Sequence, residues 1–218
     1  MDENPAQSEK TSSIRRFWER LDGSVHPDDK DVFNRNKHSF NLDFPPPAFI
    51  GNVDSALVIV LMANGGYDPN RTPTEFARRE DILEYIDYLK GKRTQLPTSL
   101  SSYYTASSIG KWLAEEHVVL VNAIAYRSPK LSQEPWNIAV AEKLPSVAAH
   151  RRWLHNDVLP LAARGERLVV AHRHGMWKLP KHPSIPNILF STNPISAHLS
   201  KAMIEKVTQW IDEHGLGR

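Results

Sequence analysis

The stretch SALVIVLMANGGYDPNRTPTEF, residues 55–76, decides the fold because it joins a buried strand to the start of a helix. Its apolar run at residues 56–62 is rich in β-branched side chains and does not alternate with polar ones, which is typical of a strand covered on both faces. We expect a turn at Gly65 and Gly66. The segment TPTE then predicts a helix, with Thr72 as N-cap and Glu75 completing a capping box. The stretch therefore predicts a β-loop-α unit.

The same pattern recurs along the chain. Further buried strands are predicted at residues 118–123, 167–172 and 187–192, with helices at residues 146–164 and from about residue 199 to Gly215. Four buried strands that alternate with helices predict a three-layer α/β/α sandwich around a four-stranded, mostly parallel sheet. We expect a disordered lead at residues 1–12 and a single domain at residues 13–218.

The composition excludes several classes of function. The 218 residues include no cysteine, which excludes disulfides, thiol nucleophiles, thiolate zinc sites and iron–sulfur clusters. No apolar run approaches the roughly 20 residues that span a bilayer, and the first residues lack the pattern of a secretory signal. We therefore expect a cytoplasmic monomer that does not enter membranes.

The charge is unevenly distributed, although the net charge is only +2. The segment from Lys143 to His182 contains eight lysine and arginine residues but only two acidic residues, together with five histidines. This segment is either a solvated charged face or a phosphate-binding surface. Most of the tryptophans fit a core role, and Trp177, which lies among these cations, is the exception to test as a base-stacking side chain.

In a parallel sheet, ligands bind beyond the carboxyl ends of the strands. This rule selects the loops at residues 63–71, after Asn122, at 172–177 and at 191–196, and we expect them to converge. The Gly65–Gly66 pair either presents backbone amides to a ligand or is only a tight turn. The lone amide of Asn122 either pairs with the edge of a pyrimidine or caps local backbone. Residues 126–128 either line the pocket or form an exposed polar loop.

Three motifs resemble the uracil-DNA glycosylase superfamily, in the same order and at comparable strand ends. They are LMANGGYDP after the first strand, VVLVNAIAYRSP at the second and STNPISAHLS at the start of the last helix. Asn64-Gly65-Gly66 resembles the Asn-Pro-Gly form of the first motif. Leu120-Val121-Asn122 resembles the second motif, and residues 191–197 resemble the last. The histidine of that last motif falls at Ser191.

The resemblance implies an enzyme that extrudes a damaged base, such as uracil, from DNA and hydrolyses its N-glycosidic bond. Asn64 or Asp68 would orient the attacking water, and a donor near Ser191 would stabilise the departing base. His172 or His198 could compensate for the missing histidine. The expected base-binding residues are Gly65, Gly66, Tyr67 and Asn122, and the expected DNA-binding residues are Arg173, Lys178 and His198.

Neither a metal nor an organic cofactor is expected. His172 and His174 resemble half of a metal site, but no carboxylate partner is identified for them. Because Ser191 cannot carry charge, retention of the enzymatic activity is uncertain. The first alternative is a non-catalytic module that binds a nucleobase or DNA on the same fold. The second is a hydrolase of another small substrate, for which no pair of nucleophile and base is visible.

Overall fold

The computed structural model describes residues 11–180, 184–194, 196 and 198–215. Residues 1–10 of the predicted disordered lead lie outside these ranges. Ser12, which the same prediction included, caps the first helix: its side chain accepts a hydrogen bond from the Arg15 amide, and its own amide donates to Asp54 Oδ1 over 2.8 Å. Folded structure is therefore already present at residue 12.

The sheet is mixed and has five strands in the order β1-β3-β2-β4-β5. The strands are β1 (Phe49–Ile50), β2 (Val58–Gly66), β3 (Val118–Ser128), β4 (Leu168–Ala171) and β5 (Ile188–Phe190). β1 pairs with β3 antiparallel, and the other pairs are parallel. The α/β class is confirmed, whereas the four-stranded sheet is wrong. The additional strand, β1, was not predicted because it has only two residues and follows three prolines. Prolines confine such a segment to the edge of a sheet.

The two central strands are longer than predicted. β2 continues through both glycines to Gly66, and β3 continues to Ser128 with every residue buried. Their parallel register pairs Met62 with Asn122 and Asn64 with Ile124, and it shifts at a bulge before Gly66 pairs with Ser128. The residues predicted to form the first two loops of the site therefore lie largely within the sheet.

The helices lie before, between and after these strands. They are α1 (Ser13–Trp18), α2 (Pro27–Arg35), α3 (Thr72–Glu75), α4 (Arg79–Leu89), α5 (Ser102–Thr105), α6 (Gly110–Ala114), α7 (Pro135–Ala141), α8 (Pro145–Trp153), α9 (Leu159–Ala163) and α10 (Lys201–His214). A π-helical turn, Leu154–Val158, joins α8 to α9 where one continuous helix was predicted. The final helix is confirmed, and its buried side chains are Met203, Val207 and Ile211.

The predicted helix after the first strand is divided in two. Thr72 is the first residue of α3 and not its N-cap, and α3 ends after one turn. The capping interaction occurs instead at α4, where the Arg78 amide donates to Asp81 Oδ2 over 3.1 Å. α4 ends two residues before Gly91, whose φ of +72° favours glycine.

Buried histidine hydrogen bonds connect the N-terminal helices to the sheet. Trp18 Nε1 donates to His150 Nε2 over 2.8 Å, and His150 Nδ1 lies 2.6 Å from the Asn122 carbonyl oxygen. His150 is therefore a neutral imidazole that donates through Nδ1 and accepts through Nε2. Complete burial lowers its pKa to about 4. This side chain links α1, α8 and β3.

A second buried network joins α2 to β3. The Tyr126 hydroxyl donates to Asp29 Oδ2 over 2.6 Å and accepts from the His26 amide, while the Ser146 amide donates to Asp29 Oδ1. Asp29 is fully buried, and this burial raises the pKa of its carboxyl. The two donors partly offset the cost of burying the charged form.

Candidate functional site

The carboxyl ends of the four parallel strands lie along one edge of the sheet. β2 and β3 are neighbours there, and Asn64 lies two residues, or roughly 7 Å, further along the strands than Asn122, which is level with Met62. Ser191 follows β5, and β4 separates it from β2. At about 4.8 Å between neighbouring strands, Ser191 is roughly 10 Å from the β2 backbone. The sheet thus brings the first two motifs together and sets the third apart.

Gly65 and Gly66 do not form the predicted turn, because they extend β2. The Tyr67 amide also continues the ladder by donating to the Ser128 carbonyl over 3.2 Å. A Cβ on Gly65 would lie 2.2 Å from Pro47 Cγ, whereas a Cβ on Gly66 would have no atom within 4 Å. Close packing against Pro47 therefore requires glycine at position 65, and position 66 is open to solvent.

Asn64 and Asp68 have different environments. Asn64 is half-buried, and its Nδ2 donates to Ser128 Oγ over 3.0 Å and to the Gly65 carbonyl over 2.8 Å. These bonds fix the amide so that Oδ1 is the acceptor available for a water molecule. Asp68 is exposed, and its Oδ1 accepts from the amides of Asn70 and Arg71. Asp68 therefore stabilises the turn that precedes α3.

Asn122 is buried and holds the proline-rich segment before β1. Its Nδ2 donates to the Pro47 carbonyl over 2.6 Å, and its backbone amide donates to the Ala48 carbonyl over 3.0 Å. Burial raises the pKa of the Tyr104 phenol, and the Asn122 side chain partly opposes this rise. Nδ2 of Asn122 thus binds backbone, but the backbone of a segment 75 residues away and not the local backbone that one sequence interpretation expected.

Ser191 takes part in a local turn. It is buried, its amide donates to the Ala171 carbonyl, and its Oγ accepts from the Asn193 amide over 3.3 Å. Of the motif that it begins, Ile195 and Ala197 lie outside the described residues. Tyr67, predicted to wall the pocket, is half-buried at the end of β2.

A cavity of about 20 Å³ lies between β2, α5 and the segment before α10. Its lining includes Val60, Met62, Tyr103, Leu120, His172 and His198. The volume is sufficient for about one water molecule and far below the few hundred Å³ typical of a ligand pocket. His172 and His198, the two histidines that the sequence analysis considered as replacements for the missing one, both line it.

His172 contributes a buried polar atom to this cavity region. Its Nε2 lies 3.0 Å from the Ser196 carbonyl oxygen and therefore carries the proton, while Nδ1 is buried without a hydrogen-bond partner. Burial lowers the pKa of His172, and the charges of Arg173 and His198 lower it further. His172 is thus neutral near pH 7.

The basic segment is partly neutralised by acidic side chains. Glu142 pairs with both Arg151 and Lys178 over 2.6 Å, and the hydrogen bond from Arg151 lowers the pKa of Glu142 to about 2. The Arg173 guanidinium donates to the Ser196 carbonyl over 2.9 Å. Lys181 and His182, which belong to the predicted segment, lie outside the described residues. Lys178 and Arg173 could bind phosphate only in competition with these contacts.

Trp177 is not a base-stacking side chain in this structure. It is fully buried, and its Nε1 donates to the Met62 carbonyl over 2.7 Å. The cations next to Trp177 in the sequence gave no information on the direction of its indole.

The sequence analysis left open whether residues 126–128 form an exposed loop, and the structure excludes that interpretation. All three are buried in β3, and Arg127 is 5% exposed. Its Nη1 donates to the Gly66 carbonyl over 3.3 Å, and its guanidinium carbon lies 5.4 Å from the centre of the Phe76 ring. None of the ion pairs among the described residues includes Arg127, and its Nε is buried without a partner.

Two tyrosines that sequence reasoning missed complete this environment. Tyr85 is 1% exposed and its hydroxyl has no partner, while Tyr104 is 8% exposed. Burial raises the pKa of both phenols, to about 12 for Tyr104, and the positive charge of Arg127 opposes the rise in each. We call Phe76, Tyr85, Tyr104, Asn122 and Arg127 the Arg127 cluster. No motif marks Tyr85 or Tyr104, because their positions depend on how α4 and α5 pack.

An open groove of about 450 Å³ is bordered by α3, α5 and the start of α4. Its lining includes Arg71, Thr74, Glu75, Arg78, Ser99 and Ser102. α3 contributes Glu75 to the groove and is followed by Phe76 of the cluster, and α5 contributes both Ser102 and Tyr104. The charge of Glu75 raises the pKa of both phenols of the cluster. The groove and the Arg127 cluster are therefore separated by one layer of short helices.

Neither cavity is lined by Asn64, Tyr67, Asn122 or Ser191, so their convergence on one pocket stays a prediction. Within the described ranges, no group of three or more histidine or acidic side chains could hold a metal ion. No helix in the same ranges is both long and apolar enough to cross a bilayer.

A scan against protein-family models, a search of curated proteins and a search of solved structures each found no match. The resemblance to the uracil-DNA glycosylase superfamily therefore rests on the sequence motifs alone and remains a prediction.

Proposed function

We propose that this protein binds DNA, accommodates an extruded nucleobase at the carboxyl ends of β2 and β3, and hydrolyses its N-glycosidic bond. The proposal rests chiefly on one observation: Asn64 and Asn122 lie on adjacent parallel strands at the edge where ligands of such sheets bind. Both carry amide groups, which can orient a water molecule and read the edge of a base.

We also infer the three-layer arrangement that such an enzyme would use. The connection from β2 to β3 and the connection from β3 to β4 run in opposite directions across the sheet. Because crossovers between parallel strands are right-handed, their helices are expected on opposite faces of the sheet. We further propose that the protein acts as a cytoplasmic monomer without a metal or an organic cofactor.

In the proposed reaction, Asn64 Oδ1 accepts a hydrogen bond from the water that attacks C1′ of the deoxyribose. Asn122 reads the base with its Oδ1 and with the Nδ2 hydrogen that does not bind Pro47. Asp68 is the weaker candidate for orienting water, because its carboxylate already accepts two backbone amides. Ser191 supplies no charge, so the departing base needs another source of stabilisation.

A cleavage assay on labelled oligonucleotides tests the proposal. Single- and double-stranded substrates carry uracil, hypoxanthine or xanthine, and the Asn64→Ala protein is compared with wild type. We expect excision by wild type and a loss of about 100-fold or more in the variant. Asn70→Ala, in the exposed loop that follows β2, is the matched control and should retain activity. Equal excision by wild type and Asn64→Ala would refute the role of Asn64.

The second candidate is a non-catalytic module that binds a nucleobase or DNA at the same edge. It is favoured by the turn role of Ser191, which leaves that position of the motif without an ionisable group. Binding that weakens steeply with salt, together with no excision of any substrate, would support this module. Absence of both binding and excision would reject both candidates and leave a hydrolase of another small substrate.

A further inference from the structure

Arg127 is a buried cation that has no counter-ion among the residues the structure describes. Among the described residues its guanidinium makes one hydrogen bond, of 3.3 Å to a carbonyl, and one contact with an aromatic ring. Arginine keeps its charge in proteins and carries five N–H donors. A buried charge without an ionic partner lowers the stability of the folded protein. Side chains that are destabilising in this way occur at functional sites more often than surface charges do.

The polar groups near the Arg127 guanidinium can donate hydrogen bonds to an anion. The Tyr85 hydroxyl is buried without a partner, and the Tyr104 hydroxyl lies near the Asn122 amide. Hydroxyl and amide groups can all donate hydrogen bonds, so they would act together with the cation. Glu75, whose charge acts on both phenols, forms no ion pair among the described residues.

We propose that Arg127 stabilises the negative charge of the departing pyrimidine, in place of the histidine that the last motif lacks. This inference rests on the proposed function. The C1′–N1 bond breaks and its electron pair stays on the base as a ring anion. Water adds to C1′ and loses a proton to solvent, and the released base regains a proton from solvent. The guanidinium, held in a water-poor site, favours the state in which the base carries the charge.

The first test measures ligand binding by the shift in Tm and needs no catalytic activity. The probes are barbiturate, a pyrimidine that is anionic at neutral pH, uracil as the neutral ring, and acetate as a simple anion. We expect barbiturate to raise the Tm of wild type by several degrees at a large excess over its Kd, with smaller shifts from uracil and acetate. Arg127→Met should abolish the barbiturate shift, Arg127→Lys should restore part of it, and the exposed control Arg152→Met should retain it.

A second measurement separates a ligand-binding arginine from a structural one. Arg167 is buried to a similar extent, but its guanidinium donates to the carbonyls of Ala56 and Asp54. Without ligand, Arg127→Met should have a Tm equal to or above that of wild type, whereas Arg167→Met should have a lower one. A comparable fall in both variants would overturn the proposal.

Further outcomes separate this inference from the proposed function. The proposal is refuted if barbiturate shifts the Tm of Arg127→Met as much as that of wild type, if acetate matches barbiturate, or if barbiturate causes no shift. If wild type excises uracil and Arg127→Met does so equally fast, the glycosylase stands and the role of Arg127 fails. If no excision occurs but the barbiturate shift depends on Arg127, the pyrimidine-anion site stands and the glycosylase fails.

Discussion

Acidification should weaken the fold through His150, whose imidazole is held neutral between two partners. The indole N–H of Trp18 points at Nε2, and Nδ1–H binds the Asn122 carbonyl, so a proton added to Nε2 would meet a donor. The pKa of His150 in the folded protein is about 4, against 6.5 for an ordinary histidine. This difference corresponds to about 3 kcal/mol of folding free energy.

The sign follows from proton binding by the two states. Above about pH 6.5 the imidazole is neutral in both states, and its contribution to stability is fully present. Between about pH 6.5 and about pH 4 the unfolded chain binds a proton that the folded protein does not, so stability falls as pH falls. The loss is complete below the folded-state pKa.

Urea denaturation of wild type and His150→Gln, followed by tryptophan fluorescence, isolates this effect. Glutamine can still accept from the Trp18 indole but does not titrate. Other titrating groups contribute to both proteins, so the advantage of wild type over the variant should shrink by about 2 kcal/mol between about pH 7.5 and about pH 5. An advantage that is equal at the two pH values would refute the reasoning.

Two further predictions concern stability near pH 7. Tyr126→Phe removes a donor from the buried carboxylate of Asp29 and should lower the free energy of unfolding by about 1–3 kcal/mol; a loss below about 0.5 kcal/mol in urea denaturation would contradict this. Gly65→Ala places a methyl group against the rigid ring of Pro47 and should cost about 1–3 kcal/mol, whereas Gly66→Ala should be nearly neutral. Equal Tm values for the two glycine variants would count against the described packing.

The parallel core of the sheet could be predicted because its strands are continuous apolar runs. Such a pattern fits few structures other than a strand buried on both faces. The edge strand Phe49–Ile50 could not be predicted, because it has too few residues for any periodicity and forms only by pairing with β3. The break after Glu75 was missed for a similar reason: local capping residues favoured a continuous helix, and packing of Phe76 against Phe44 ended it.

The alternation of strands and helices predicted that Asn64 and Asn122 belong to one parallel sheet, and they lie on adjacent strands. Their contacts could not be predicted. The partner of the Asn122 amide, Pro47, lies 75 residues away in sequence. Arg127 looked like an ordinary polar residue after a strand. Its burial depends on Phe76, which comes from a distant segment, so local pattern carried no signal of it.

The bond between Trp18 and His150 also bears on how the chain is made. Its two residues are 132 positions apart, so α1 leaves the ribosome long before α8 exists. At about 5–20 residues per second, synthesis of the intervening chain takes on the order of 10 s. During that interval the indole N–H of Trp18 lacks its native acceptor and is open to chaperones or to contacts with other chains. The contact of α1 with α8 thus forms only after β1, β2 and β3 have been synthesised.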